Sequence, residues 1–405
     1  MTARRQARLK RLKGGFQVTY DVLIVGGGIM GSSTAFNLAR LEPKLKTAVV
    51  EKDPTYAKSS TTLSAANLRT VAFSLKENFL ISKRTFEILA TFESDMSVEG
   101  RQPGIYFRAE GNLFLCNAKG LASARRIFDT HKSLGSNAEW FGPKEIKRRW
   151  PLYHMEGIAA GTFGPTDGHV DAYGLLMAYK TKARSLGVEY LQDEAVSLTV
   201  ADRRVTGARL ATGRELTAGV TVNCAGAWAG PLARTAGVEI PVVPIRRQIF
   251  AVDTQVKPER PLPLTFHPSG LYLRSESGGL ILCGKSLDED PVAFDFNWER
   301  ERFMDVIWPE LAAFIPAFES LRLVRGWAGL YEVNTLDHNA IIGPWPELEG
   351  FYLCNGFSGH GLMQGPAVGE HLSERLTGRH PTLDLSVFTP ERILKNCPMG
   401  ESGCF

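Results

Sequence analysis

Between Tyr20 and Asp53 the chain reads YDVLIVGGGIMGSSTAFNLARLEPKLKTAVVEKD, and this run restricts the fold more than any other. Asp21 to Val25 is an apolar segment that stops at a glycine turn, the pattern of a buried parallel strand. Ile29 to Leu41 predicts a helix, and Thr47 to Glu51 a second strand. Gly26, Gly28 and Gly31 form G-x-G-x-x-G between strand and helix. The first glycine allows the tight turn, the second lets a pyrophosphate reach the backbone, and the third lets helix and strand pack closely. The pyrophosphate would rest on the unpaired N–H groups of the helix start, with Ile29 and Met30 directly behind the turn. Glu51 stands twenty residues past Gly31, where a carboxylate can accept bonds from ribose hydroxyls, and Lys52 follows it. The expectation is a dinucleotide-binding βαβ unit.

The 405 residues suffice for two or three domains with full cores. The net charge of +4 misleads. Arg4, Arg5, Arg8, Lys10, Arg11 and Lys13 precede the first acid, Asp21, and the remaining 41 basic residues face 43 acidic ones. The body therefore carries no nucleic-acid footprint. The first 14 residues lack the apolar core of a secretory signal. They read as a disordered extension or an early start site; a basic arm for an acidic partner or for peripheral contact with an anionic membrane is the alternative. Six scattered cysteines with no C-x-x-C pair fit reduced thiols in a cytosolic-type compartment and neither a disulfide nor a zinc framework. No metal site is expected, and no apolar run approaches the roughly 20 residues that span a bilayer.

Further along, Lys58 to Arg69 (KSSTTLSAANLR) is rich in small hydroxyl residues and should border the cofactor through Ser60, Thr61, Ser64, Ala65 and Ala66. Helices are predicted over Ser74–Thr91, Ala122–Leu134, Pro143–Trp150, Ala172–Leu186, Trp298–Phe314 and Pro366–Leu376. Gly104–Cys116 reads as a hairpin around Glu110-Gly111. Short strands follow at Val188–Leu191, Ala195–Leu198, Val205–Leu210 and Glu215–Ala218. Val220–Ala225 and Gly350–Asn355 are buried strands that end, like the first, in glycine turns at Gly226 and Gly356. The simplest assembly brings all three strand ends to one cofactor, since ligands in such folds lie beyond the carboxyl ends of the strands. The cofactor domain is then discontinuous: 20–75, 166–240 and 324–395, with 76–165 and 241–323 forming a second domain of alternating strands. Residues 1–19 are an extension and 396–405 a tail.

The motifs VGGGIMGSSTAFNLA, VEKD, SSTTLSAANLR, TDGHVD, NCAGAW, GLYLR, NTLDHNAIIG and GFSGHGL together resemble the flavin amine oxidoreductases of the D-amino-acid oxidase and sarcosine oxidase superfamily, over roughly Tyr20 to Leu385. The resemblance implies an α/β fold with added antiparallel strands: a Rossmann-like, discontinuous FAD-binding domain beside a mixed-sheet substrate domain. It implies FAD as cofactor, and oxidation of the C–N bond of a secondary or N-substituted amino acid by hydride transfer to flavin N5. It places Gly26, Gly28, Gly31 and Glu51 at the ADP half and Ala195-Val196 beside the adenine. Ala225, Gly226 and Trp228 fall along the diphosphate and ribityl chain, and Gly359, His360, Gly361 and Leu362 at the flavin ring.

Three departures from that family's pattern carry information. The positions that tether flavin covalently in relatives hold Gly329 and Ser64 here, so the FAD is expected to be non-covalent. Met363 stands where sarcosine oxidases carry a carboxylate-gripping lysine. Arg69, Arg274, Arg247 and Lys285 are the candidates to replace it, because arginine binds a carboxylate through two bonds. Tyr272 lies two residues from Arg274, on the same face of one strand, and could close over the substrate. Leu282 occupies the place of the oxygen-activating lysine, which favours a dehydrogenase passing electrons to a quinone or another carrier. Two other readings stay open: a FAD-binding assembly or scaffold protein of the respiratory chain, and one subunit of a larger amine dehydrogenase. The expected location is cytoplasmic, or peripheral to an inner membrane.

Overall fold

The computed structural model describes residues 19–400; the basic arm and the last residues of the tail lie outside the described residues. Two eight-stranded sheets organise the chain among these residues. The first runs, in spatial order, Ile341–Pro344, Phe351–Asn355, Glu215–Asn223, Tyr20–Val25, Thr47–Glu51 and Glu189–Gln192, with Arg204–Leu210 paired onto the first half of Glu215–Asn223 and Ala195–Ala201 paired onto Arg204–Leu210. Its central pairings are parallel, with Val25 opposite Asn223 and Val50, and Asn223 opposite Leu353.

Alternation explains why this sheet is covered on both faces. Val22, Ile24, Val49, Val220 and Val222 pack against the helices Ile29–Leu41, Lys76–Leu89, Ala172–Ser185 and Gly361–Leu376. Leu23, Val25, Ala48 and Val50 pack on the other face against Leu232, Ala233 and the meander residues Val205, Leu210 and Leu216. Leu23 and Ile24 are wholly buried, worth about 1.5–3 kcal/mol each. The second sheet runs Leu321–Asn334, Val242–Thr254, Leu280–Gly284, Tyr272–Glu276, Leu264–Phe266, Asn112–Cys116, Ala160–Gly164 and Glu139–Phe141, and is mostly antiparallel.

The structure corrects several expected elements. No hairpin forms around Glu110-Gly111. Asn112–Cys116 is the only strand there and pairs with Ala160–Gly164 and Leu264–Phe266. The preceding arm is held by the 167–169 segment instead: Arg108 donates to the His169 carbonyl and Gly111 to the Asp167 carbonyl, both at 2.8 Å. The turn signal is local, and these nonlocal hydrogen bonds outcompete it. Glu215–Ala218 and Val220–Ala225 are one strand, Glu215–Asn223, antiparallel in its first half and parallel in its second. The helix expected over Trp298–Phe314 begins at Arg300 and contains a π-turn over Phe303–Ile307. The last of the expected helices starts at Gly361, five residues before the expected Pro366, which it carries inside, and a short helix not expected, Glu391–Leu394, follows it. Packing holds that first turn: the Ser33 hydroxyl donates to the Gly365 carbonyl at 2.7 Å and the Ser373 hydroxyl to the Thr34 carbonyl at 3.0 Å.

A buried acid fixes one edge of the site. Asp167 Oδ1 accepts from the Thr70 backbone N at 2.9 Å and from its hydroxyl at 2.8 Å, and the Asn112 amide donates to the Leu68 carbonyl at 3.0 Å. Together they anchor the segment that presents Arg69. Burial pushes the Asp167 carboxyl up to about 7. The native state therefore keeps this proton between pH 4 and 7, where an unfolded aspartate has lost it. The stabilisation is full below pH 4 and is lost as pH rises through 7. Asp167→Asn is expected to flatten the stability–pH curve over that range, a difference of at most about 4 kcal/mol, read by urea melts at pH 4.5 and 7.5. An unchanged slope would show that Asp167 is ionised throughout.

Candidate flavin-binding and active site

All three predicted glycine turns meet at one place. The strands ending at Val25, Asn223 and Asn355 are neighbours running the same way, so their carboxyl ends share one edge of the first sheet. A cavity of about 480 Å³ opens there and continues between the two sheets. That volume is in the range of small-molecule and cofactor sites.

The first turn is built for close approach. Gly26 has φ +100°, and a Cβ there would sit 2.3 Å from the Cys224 carbonyl oxygen. A Cβ on Gly31 would lie 1.9 Å from the Gly26 carbonyl oxygen, so the third glycine lets helix and strand touch and does not itself face the cavity. Glu51 closes the turn from the second strand: Oε2 accepts from Gly27 N and Oε1 from Asp53 N, both at 2.8 Å. Burial raises its pKa, against those two N–H bonds. The Ser59–Leu63 turn backs the helix start, where Ile29 N donates to Thr61 Oγ1 at 3.2 Å. The Ser60 hydroxyl donates to the Leu330 carbonyl at 2.6 Å, tying this turn to the second sheet.

Of the residues expected to hold the cofactor, Gly26, Gly28, Ile29, Met30, Glu51, Lys52, Ser60, Thr61, Ser64, Ala65, Ala66, Ala195, Val196, Ala225, Gly226, Trp228, Gly329, Gly359, His360, Gly361, Leu362 and Met363 line this single cavity. Near its mouth the Lys52 ammonium sits 3.8 Å over the Trp228 ring, and Trp228 stacks on Phe294 with centroids 5.3 Å apart.

The substrate candidates separate. Arg69, Tyr272 and His360 line the cavity. Arg274 does not: it is buried behind Ala65, donating to the Ala65 and Ser275 carbonyls and pairing with Glu276 at 2.8 Å. The alternation with Tyr272 holds, but Ala65 stands between Arg274 and the cavity. Lys285 is likewise off the wall, paired with Glu310. Arg69 is 3% exposed, donates to the Val71 carbonyl, and lies 4.0 Å over Phe73 and 5.0 Å from Phe114. Its Nη2 is 3.0 Å from His360 Nε2. A guanidinium only donates, so Nε2 accepts, and the neutral imidazole carries its proton on Nδ1.

Arg247, the remaining arginine candidate, is on the wall. Its guanidinium lies 5.6 Å over the Tyr331 ring, donates to the Leu287 carbonyl at 3.2 Å and pairs with Asp290. Asp290 also binds Arg302 at 2.6 Å, so two guanidiniums share one carboxylate and leave a surplus positive charge. Phe266 and Tyr272 complete this end, with ring centroids 5.6 Å apart. Burial raises the Tyr272 phenol well above its ordinary range, which keeps it a neutral donor.

Tyr331, Glu332 and Phe266 line the cavity without having been singled out as site residues. Glu332 left one trace, an acid inside the otherwise apolar run GLYEV. Phe266 left none, because its place depends on the parallel pairing of Leu264–Phe266 with Asn112–Phe114. Among the described residues no group of acids, histidines and cysteines could hold a metal, and no helix is long and apolar enough to cross a membrane.

The donors fit an FAD: a glycine turn and helix start for a diphosphate, an acid for a ribose, and a flat glycine-flanked loop over Gly359–Met363 for a ring. At the two tethering positions Gly329 and Ser64 offer no group for a covalent link, so FAD is held non-covalently. Acid precipitation should leave the pellet colourless and all flavin in the supernatant; coloured pellet would mean a tether elsewhere.

Known proteins agree with this geometry. The chain is 32% identical to bovine (Bos taurus) FAD-dependent oxidoreductase domain-containing protein 1 over 414 residues, covering 92% of this chain and 84% of that one. It is 26% identical to human (Homo sapiens) mitochondrial sarcosine dehydrogenase, covering 93% of this chain and 41% of that one. Its fold superposes on the L-proline dehydrogenase of P. horikoshii with a TM-score of 0.84 at 26% identity, over 94% of this chain and 99% of that one. Residues 21–375 match the family described as FAD dependent oxidoreductase (DAO), and the chain belongs to that family.

Proposed function

We propose that this chain oxidises the C–N bond of a secondary or N-substituted amino acid. The observation that carries the reading is the far end of the cavity, where Arg247, Tyr272, Tyr331 and Phe266 converge beside the Gly359–Met363 loop. When bound, FAD supplies the acceptor for the hydride on the carbon next to nitrogen. The chain supplies everything else. The surplus positive charge around Arg247 and Asp290 attracts a carboxylate, and Met363 cannot. The aromatic rings exclude water and present an apolar wall to N-alkyl or ring carbons. An apolar wall also favours the uncharged amine, the form from which hydride can leave. The names of two relatives, a sarcosine and an L-proline dehydrogenase, fit a secondary amine.

Leu282 supports a dehydrogenase over an oxidase. It is 7% exposed and packs with Ile249 and Ala251 beside Ala65, so an apolar side chain stands where the oxygen-activating lysine is expected. A quinone or another electron carrier is then the acceptor. The test is an anaerobic panel of amino acids and N-methyl amines, followed by flavin bleaching. Bleaching by a secondary amino acid and slow reoxidation in air are expected. No bleaching across the panel would overturn the enzymatic reading and favour an assembly role; rapid reoxidation in air would overturn the dehydrogenase assignment alone.

A further inference from the structure

Glu332 lies on the cavity wall with no role in the reading above. It belongs to the strand Leu321–Asn334, and its Oε2 accepts from Gly356 N at 3.1 Å. Its Oε1 lies beside Gly361, 3.9 Å from where a Cβ on that residue would stand. The Phe357 N–H also bonds this carboxyl, and among the described residues no cation pairs with it. Position along the cavity identifies what it meets. Gly26 to Ile29, the diphosphate cradle, lies on one side. His360 to Met363, the ring end, lies on the other. A Cβ on Gly361 would also lie 3.8 Å from the Met30 side chain, so Glu332 Oε1 stands where the helix start behind the diphosphate cradle meets the ring-end helix. In FAD the segment between diphosphate and ring is the ribityl chain, a run of hydroxyl groups.

We propose that Glu332 is the side chain that holds the ribityl chain of FAD, through its cavity-facing carboxyl oxygen. A carboxyl suits vicinal hydroxyls because it accepts from one and, when protonated, donates to the next. Burial pushes this carboxyl up to about 8, with backbone bonds from Gly356 and Phe357 opposing only in part, so it is mainly protonated at neutral pH. A neutral acid also avoids repelling the diphosphate. The titratable groups around it are the Cys224 and Cys354 thiols at the neighbouring strand ends, Tyr331 on its own strand, His360 at the helix start, and Arg246 and Arg247 on the paired strand. A bond to Cys224, and then burial, raises the Cys354 thiol well above its ordinary range.

The test compares FAD with ADP, which lacks the polyol. Flavin released from the holoprotein on dilution, read as regained fluorescence, gives the FAD Kd from pH 6.5 to 9.5; displacement by ADP gives the ADP Kd. For the native chain the FAD Kd is expected to rise above pH 8 by up to about tenfold per pH unit, with the ADP Kd flat. Glu332→Gln keeps a donor and an acceptor, so its FAD Kd at pH 7 should stay within a few-fold and lose the rise. Glu332→Ala should weaken FAD about tenfold and leave ADP unchanged. A flat native profile, a Glu332→Gln variant that keeps the rise, or equal losses for FAD and ADP in Glu332→Ala would each overturn the assignment.

Discussion

Gly31→Ala is expected to purify without colour. The added methyl would lie 1.9 Å from the Gly26 carbonyl oxygen, a backbone atom that no rotamer change can move. Either the helix Ile29–Leu41 lifts off the first strand or the glycine turn deforms. The helix cannot lift freely, because the Ser33 and Ser373 bonds lock it to Gly361–Leu376. Overpacking of this kind costs about 1–3 kcal/mol of stability, and occasionally more. The effect on FAD should be larger, since the glycine turn and the helix start from Gly28 to Met30 must face one diphosphate to act together. Flavin-to-protein absorbance after gel filtration, with the Tm alongside, checks both. A variant that keeps stoichiometric FAD would show that the contact is soft and the glycine incidental.

The second large effect is on substrate. Arg247→Met should raise KM for the amino acid identified in the anaerobic panel by about 10- to 100-fold, the weight of one or two charge-assisted hydrogen bonds, with kcat much less affected. Arg247→Lys should recover part of the loss, because it restores charge but not the planar fork. Flavin content should be normal in both. Equal KM values for the native chain and Arg247→Met would move the carboxylate to another group, with Arg69 the remaining arginine candidate on the wall.

The parts of this architecture visible in the sequence are those written locally. Apolar runs ending in glycine mark the three strand ends, and a 20-residue spacing marks Glu51. Helix boundaries shifted by a few residues where tertiary contacts overrode local preference, as at Gly361, whose first turn is fixed by Ser33 on another helix. The second sheet was much less legible. Its pairing of Asn112–Cys116 with Leu264–Phe266 joins segments about 150 residues apart, and no local pattern encodes such a partner. The same reason separates the site residues. Backbone-lined cofactor positions follow from glycine motifs, whereas charged side chains are decided by whichever acid or carbonyl reaches them first. Arg274 and Lys285 meet Glu276 and Glu310; Arg247 is left on the wall because Asp290 is shared with Arg302.

The meeting of strands that end at residues 25, 223 and 355 sets an order for biosynthesis. A growing polypeptide completes its βαβ opening early, yet the middle strand of the ladder arrives only after half the chain has been made, and the last one near the end. The nucleotide half could dock first; the ring has no seat until the segment around Gly361 leaves the ribosome. Translation arrested before that point should yield nascent chains that retain no flavin, and cofactor supply then acts on a nearly finished polypeptide.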